Sequence, residues 1–258
     1  MKNHLPRPYL LAETNWKKVQ ETQYQVAVLP WGATEAHNYH LPYATDNFQV
    51  NGIIEMAAKN AWEKGAKVIV LPNVPYGVQT GQLDIKLCMN ILPSTQLAIL
   101  KDLCDVLLRS GIQKLVILNG HGGNDFKSII RELSFLFPEL FVCCINWFKT
   151  EDKKGYFDAL DGDHADEMET SAMLYLQPHL VDLKEAGDGF AKQWKFDGMK
   201  EGWVVAQRAW TRVSADTGVG NPHQATAEKG ERYLLAVAKK IENFLVELAE
   251  TPREGFYL

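Results

Sequence analysis

Cysteine is scarce in this chain: Cys88, Cys104, Cys143 and Cys144 are the four in 258 residues, and no two of them form a CxxC pair. They read as small buried hydrophobes of a reducing compartment, not as a disulfide framework. Cys143 and Cys144, neighbours in an apolar run, are expected on opposite faces of it. Positive charge is in deficit too, with 27 Lys and Arg against 32 Asp and Glu and a formal charge of −5. A protein living on phosphate contacts shows the opposite balance, so no nucleic-acid partner is expected. No apolar run approaches the roughly 20 residues of a membrane span, and residues 1–8 lack the apolar segment of a signal peptide. The expectation is a cytoplasmic protein without a membrane partner. Internal repeats and low-complexity tracts are also missing.

What is present is an ordinary globular composition, 46% hydrophobic and 23% charged, at a length that one α/β domain over residues 1–258 can fill. Four apolar runs, at 25–32, 67–73, 114–119 and 140–148, are rich in Val, Ile and Leu without strict alternation, as suits parallel strands buried on both faces. Between them, 47–63, 94–110 and 125–137 repeat apolar residues at helical spacing, and 225–250 does so at the end of the chain. Strand and helix in alternation predict a mainly parallel sheet in a three-layer α/β/α fold. A fifth run, 203–207, reads as an added strand. The stretch 149–202 reads as long loops with one short helix near 169–176, and loops of that length are more often functional than idle.

Polar residues gather just after the strands, where open parallel sheets hold their ligands. The first group is GATEAHNYHLPYATD at 32–46, the second NGHGGN at 119–124, the third DHADEMETS at 163–171. Glu35, His37, Asp46 and His121 offer oxygen and imidazole donors without thiolate, a set suited to Zn, Mn or Fe. Glu35 and His37, two apart in an extended segment, point the same way. A helix from about Asp166 sets Glu169 on the stripe of Ala172, Met173 and Leu176, where a bare carboxylate is costly and a cation would relieve it. The competing reading makes the acids helix caps and the histidines structural; His4, His40 and His179 are read that way. The glycine-rich turn at 119–124 matches neither GxGxxG nor a GK[ST] loop.

With these motifs in place, the chain resembles the creatininase (creatinine amidohydrolase) family. The 32–46 motif is similar to the family's G-S-x-E-Q-H-G-x-H-L-P-x-x-T-D. The 119–124 and 164–171 motifs match as well, as do TGVGNP at 217–222 and ATAEKG at 225–230. The resemblance implies a two-metal hydrolase on an α/β/α fold, often oligomeric, with a hexamer as one option. Its metal ligands would be Glu35, His37, Asp46 as the bridge, His121 and Glu169. The departures bear on substrate. Gly123 stands where creatininase has a ligating Glu, Leu160 where a Trp closes over creatinine, and Gln79 and Gln82 fall in the altered pocket stretch 76–82.

The reading is a metal-dependent amidohydrolase that cleaves a non-peptide C–N bond, a cyclic amide above all, in a small-molecule substrate other than creatinine. Two divalent ions, Zn or Mn with Fe as a third option, would share a hydroxide that attacks the carbonyl. His164 would carry the proton to the leaving nitrogen, with Asp163 as a weaker assistant. Gln79, Gln82 and Leu160 would line the substrate. One competing reading is a deformylase acting on a formamide-bearing pyrimidine nucleotide, for which Lys195, Arg208 and Arg212 offer positive charge. The other is a metal-binding accessory protein without catalysis.

Overall fold

A computed structural model describes residues 6–257; His4 lies outside them. In chain order the elements are α1 (Trp16–Glu21), β1 (Val26–Trp31), α2 (Thr45–Glu63), β2 (Val68–Val70), α3 (Pro93–Arg109), β3 (Lys114–Asn119), α4 (Lys127–Leu136) and β4 (Phe141–Asn146). They continue with α5 (Glu167–Leu176), the one-turn α6 (Asp197–Lys200) and α7 (Trp210–Val213), and α8 (Ala227–Glu250). The four strands form one parallel sheet in the order β2-β1-β3-β4.

The period of two along each strand divides the core. Val26, Val28, Val116 and Leu118 face one side, where they meet Val50, Ile53 and Ile54 of α2 and Leu234, Val237 and Ile241 of α8. Ala27, Leu29, Trp31, Leu115 and Ile117 face the other, against Leu100 and Cys104 of α3 and Ile129 and Leu133 of α4. This is the three-layer α/β/α arrangement, with a hydrophobic layer on each face of the sheet. Cys143 packs into the first layer and Cys144 into the second, as the alternation requires. Burial pushes both thiols up to about 12.

Two expected strands differ. β2 keeps three residues of its run: past Leu71, which donates to the Val28 carbonyl at 2.8 Å, the register slips by one residue, and it is Val74 that donates to the Pro30 carbonyl at 3.0 Å. Residues 203–207 form no strand, and Val205 is 91% exposed. Apolar content alone does not make a strand where no neighbour offers a ladder.

The chain winds from β1 outward to β2, then crosses back past β1 to β3 and β4. The direction of winding therefore reverses between β1 and β3, the point where parallel sheets open a crevice beyond their carboxyl ends.

Candidate metal centre

The segments leaving β1 and β3 enter that crevice together. Past Trp31 the chain runs extended through Glu35 and His37, then turns into α2, whose second residue is Asp46. Past Asn119 the glycine-rich turn presents His121. Its backbone N–H is held by Asn119 Oδ1 at 3.1 Å, and Asn119 Nδ2 returns to the His121 carbonyl at 2.9 Å. Glu169 arrives from the first turn of α5, which Asp166 caps by accepting the Glu169 N–H at 3.0 Å.

These side chains converge. His121 Nδ1 lies 2.8 Å from Glu35 Oε1 and 3.2 Å from Asp46 Oδ2. His37 Nε2 lies 3.1 Å from Asp46 Oδ1 and 3.9 Å from both Glu35 Oε1 and Glu169 Oε2. His164 Nδ1 is 3.8 Å from Glu35 Oε1, and its ring lies 4.2 Å from that of His37. All six residues are buried. Asp46 thus stands between two groupings, one with Glu35 and His121 and one with His37 and Glu169, while Glu35, His37 and His164 make a third.

Each histidine is anchored from behind by a backbone carbonyl: His121 Nε2 by Val78 at 3.0 Å, His37 Nδ1 by Glu35 at 3.2 Å, and His164 Nε2 by Ala36 at 2.8 Å. A ring nitrogen that donates to a carbonyl leaves its partner nitrogen free to face the carboxylates, the orientation that metal-ligating imidazoles adopt. Glu35 Oε1 and Asp46 Oδ2 are buried, and the nitrogen each meets is Nδ1 of His121, at 2.8 and 3.2 Å. Carboxylate oxygens so placed, facing imidazole nitrogens, fit a divalent cation.

The electrostatics agree with a cluster built around missing positive charge. Burial raises the Glu169 carboxyl to about 8; His37 opposes this, and Asp46 and Asp166 add to it. Burial alone would lower His37, yet Asp46, Glu169 and Glu35 raise it to about 10. His121 is likewise raised well above its usual range against burial, by Glu35 and Asp46. His164 goes the other way, lowered by burial and by the neighbouring His37. The carboxylates thus favour the charged form of His37 and His121, while burial favours the neutral form of Glu169.

The sequence profile of the creatininase family, creatinine amidohydrolase, matches residues 12–245. The chain belongs to the creatininase family. Its members are hydrolases of C–N bonds other than peptide bonds. A creatinine amidohydrolase of Pseudomonas putida is 25% identical over 209 residues, which span 71% of this chain and 78% of that protein. The crystal structure of a Bacteroides fragilis protein with a provisional creatinine amidohydrolase name superposes with a TM-score of 0.92 at 41% identity, covering 98% of this chain and 100% of that one. A variant creatininase of Zn–Zn type gives 0.79 at 22% identity and a creatininase named for Mn gives 0.76 at 24%. Each of these two covers 94% of this chain and 99% of its own, a likeness of fold.

The residues where the chain departs from creatininase are placed differently from one another. A Cβ on Gly123 would lie 2.3 Å from the Val78 carbonyl and 2.4 Å from His121 Nε2, on top of the hydrogen bond that orients His121. The space for a side chain there is closed. Gln82 donates from Nε2 to Glu35 Oε2 and accepts from the Cys88 thiol at 3.1 Å, so its amide holds a cluster carboxylate. Gln79, three residues earlier, is buried. Leu160 is half exposed on the loop before α5. Asp163, though next to His164, is exposed and paired through both oxygens with Arg208, at 3.0 and 2.7 Å.

Three participants have roles here to which the sequence does not point, Arg208 being read there as a charge for phosphate. Cys88, read as a buried hydrophobe, is a hydrogen-bonding link that also accepts from the Ala36 N–H at 3.4 Å. Trp210 packs on the His164 ring at 4.7 Å, and the Arg208 guanidinium covers Trp210 at 4.9 Å. Nothing local marks Trp210 or Arg208, which lie more than 40 residues from the histidine they support.

Proposed function

We propose that this protein is a metal-dependent amidohydrolase in which Glu35, His37, Asp46, His121 and Glu169 would hold two divalent cations, Zn or Mn, Asp46 belonging to both groupings of donors. The observation that carries this reading is the buried junction of three carboxylates and three back-anchored imidazoles, with Glu35 Oε1 and Asp46 Oδ2 both turned to His121 Nδ1. When bound, such a pair of cations supplies a Lewis acid for the scissile carbonyl and a water acidic enough to attack at neutral pH. Gln82 fixes Glu35 from one side, and the Val78 carbonyl fixes His121 from the other.

His164 is the proton carrier. Its Nε2–H is committed to the Ala36 carbonyl, so Nδ1 is the atom that takes and returns the proton. Burial favours the neutral ring, as a base requires. Asp163, neutralised by Arg208, acts on the site through the Arg208–Trp210–His164 packing and not as an acid or base. The same pairing occupies a cation that a nucleotide phosphate would need, which weighs against the deformylase reading. Creatinine is a poor substrate on this reading, since Leu160 offers no aromatic face to the ring. The large apolar residues left exposed at Leu83, Leu87, Phe190, Phe196 and Trp203 support a homo-oligomer, a state that sedimentation analysis measures.

The test is elemental analysis of the purified protein after reconstitution with Zn or Mn. The expected result is close to two ions per chain, alongside turnover within a panel of cyclic amides and formamides. A protein that holds no transition metal after reconstitution refutes the reading.

A further inference from the structure

From Phe190 to Val213 no residue is buried, and Phe190, Phe196, Trp203 and Val205 stand largely in solvent. A segment of that length without apolar anchors is held by its ends and by a few polar or ring contacts. It nevertheless carries Trp210, which packs on His164, and Arg208, which covers Trp210. The fastening of the segment therefore decides whether that cover stays in place.

Both ends meet at Asn38. Its side chain takes the peptide edge of Gly187 at two points: Oδ1 accepts the Gly187 N–H at 2.9 Å, and Nδ2 donates to the Gly187 carbonyl at 3.3 Å. Nδ2 also lies 3.4 Å from Asp216 Oδ2, and the Asn38 backbone N–H donates to Thr217 Oγ1 at 2.9 Å. Asp216 closes the knot by accepting the N–H groups of Gly189 at 3.0 Å and Gly218 at 2.9 Å. The packing is close: a Cβ on Gly187 would fall 2.0 Å from Asp216 Oδ2, and one on Gly218 would fall 2.8 Å from Asn38 Nδ2. The far end has a second attachment, since Val219 and His164 exchange backbone hydrogen bonds at 2.8 and 3.2 Å. At Gly187 the link to the segment after β1 is the Asn38 side chain.

Asn38 follows His37 directly and holds a left-handed backbone, with φ at +54°. The creatininase-family motif has Gly at this position, which meets the backbone requirement and offers no side chain to clasp anything. Asn meets the same requirement and adds a carboxamide. The His164 ring lies 4.2 Å from that of His37 and 4.7 Å from that of Trp210. One residue thus connects both ring neighbours of that imidazole. We infer that Asn38 is a positioning residue that fastens the segment 187–217 over His164 and so holds Trp210 against its ring. The role of His164 rests on the hydrolase reading above; the fastening stands without it.

The experiment compares zinc-loaded full-length wild type, Asn38→Gly, Trp210→Ala and the double variant. Hydrogen–deuterium exchange read by mass spectrometry follows 187–218. Diethyl pyrocarbonate labelling follows His164, whose Nε2 is held by Ala36 and whose Nδ1 is left to react. Asn38→Gly accepts the left-handed backbone without steric cost, so it should keep its zinc and show wild-type exchange in β1 and β3. Exchange in 187–218 and labelling of His164 should each rise about tenfold, for the loss of two hydrogen bonds. Trp210→Ala should raise the labelling alike, and the double variant no further, because both act through one ring. Wild-type exchange or labelling in Asn38→Gly overturns the inference. So does labelling that adds up in the double variant, or that stays unchanged in Trp210→Ala. Faster exchange throughout β1 and β3 would make Asn38 a support of the whole fold, and zinc loss in Asn38→Gly would place its action on His37; either overturns it as well. A wild type that takes up no zinc overturns the hydrolase reading, while exchange and labelling still decide the fastening.

Discussion

His121 and His164 are both buried imidazoles anchored on backbone carbonyls, yet their surroundings assign them different work. The free nitrogen of His121 sits within 3.2 Å of two carboxylates, whereas that of His164 is 3.8 Å from one. His121→Ala is therefore expected to lose metal, while His164→Ala keeps it and loses roughly 10²–10⁴-fold in kcat. Equal metal loss in both variants would make His164 a ligand. The protonation of the cluster carries a second prediction. His37, raised to about 10, stabilises the metal-free fold below its ordinary 6.5, and that contribution is lost as pH rises through 10. Glu169, raised to about 8, likewise contributes stability below its ordinary 4.5 that is lost as pH rises through 8. Metal-free protein should therefore melt at progressively lower temperature from pH 6.5 to pH 10. Cation binding at pH 7 should release protons, which calorimetry in buffers of different ionisation enthalpy detects. Binding without proton release would mean that these groups do not face the cation.

Among the elements, the crevice depends on how close the turn after β3 comes to the segment 77–82. Gly123 makes that approach possible, because any side chain would strike the Val78 carbonyl and His121 Nε2. Gly123→Ala should weaken metal binding at least tenfold by tilting His121, with the fold intact by circular dichroism. Gly123→Glu, which copies the creatininase residue, should behave no better. Metal affinity preserved in both variants would show that the turn yields without disturbing the ring. A second approach lies farther along. A Cβ on Gly81 would fall 2.0 Å from the Arg208 carbonyl and 3.1 Å from Trp210 Cδ1, so the 80–82 turn supports the segment that covers His164.

For the molecule as a whole, the cluster places Glu35, Asp46 and Glu169 in one buried crevice of a chain that already carries a net charge of −5. The two divalent cations proposed here would offset three carboxylates, and without them the site must hold protons or water instead. Metal should thus stabilise the fold by mass action, by about 2.7 kcal/mol per independent site at a free concentration 100 times Kd. Thermal melting with chelator and with added metal measures this. Asp46→Asn, which removes the carboxylate common to both groupings, should abolish most of the gain. An unchanged wild-type midpoint after verified metal removal would refute a shared buried cation site.

The local order of the chain was legible in its residues. Apolar runs and helical spacing mark β1, β3, β4 and the long helices, because burial periodicity is a property of neighbouring positions. The donor-rich motifs are equally plain, since parallel strands leave their ligands at the carboxyl ends. Tertiary structure alone decided which nitrogen of each imidazole faces the carboxylates, through the carbonyls of Val78, Glu35 and Ala36. It gave Gln82 to Glu35 and left Gln79 free, although both are glutamines of one short turn. It joined Asp163 to Arg208 and Trp210 to His164, and it denied a strand to the apolar residues near Trp203. These outcomes depend on where loops of tens of residues close. Loop closure is set by the sum of distant contacts, which no local pattern encodes.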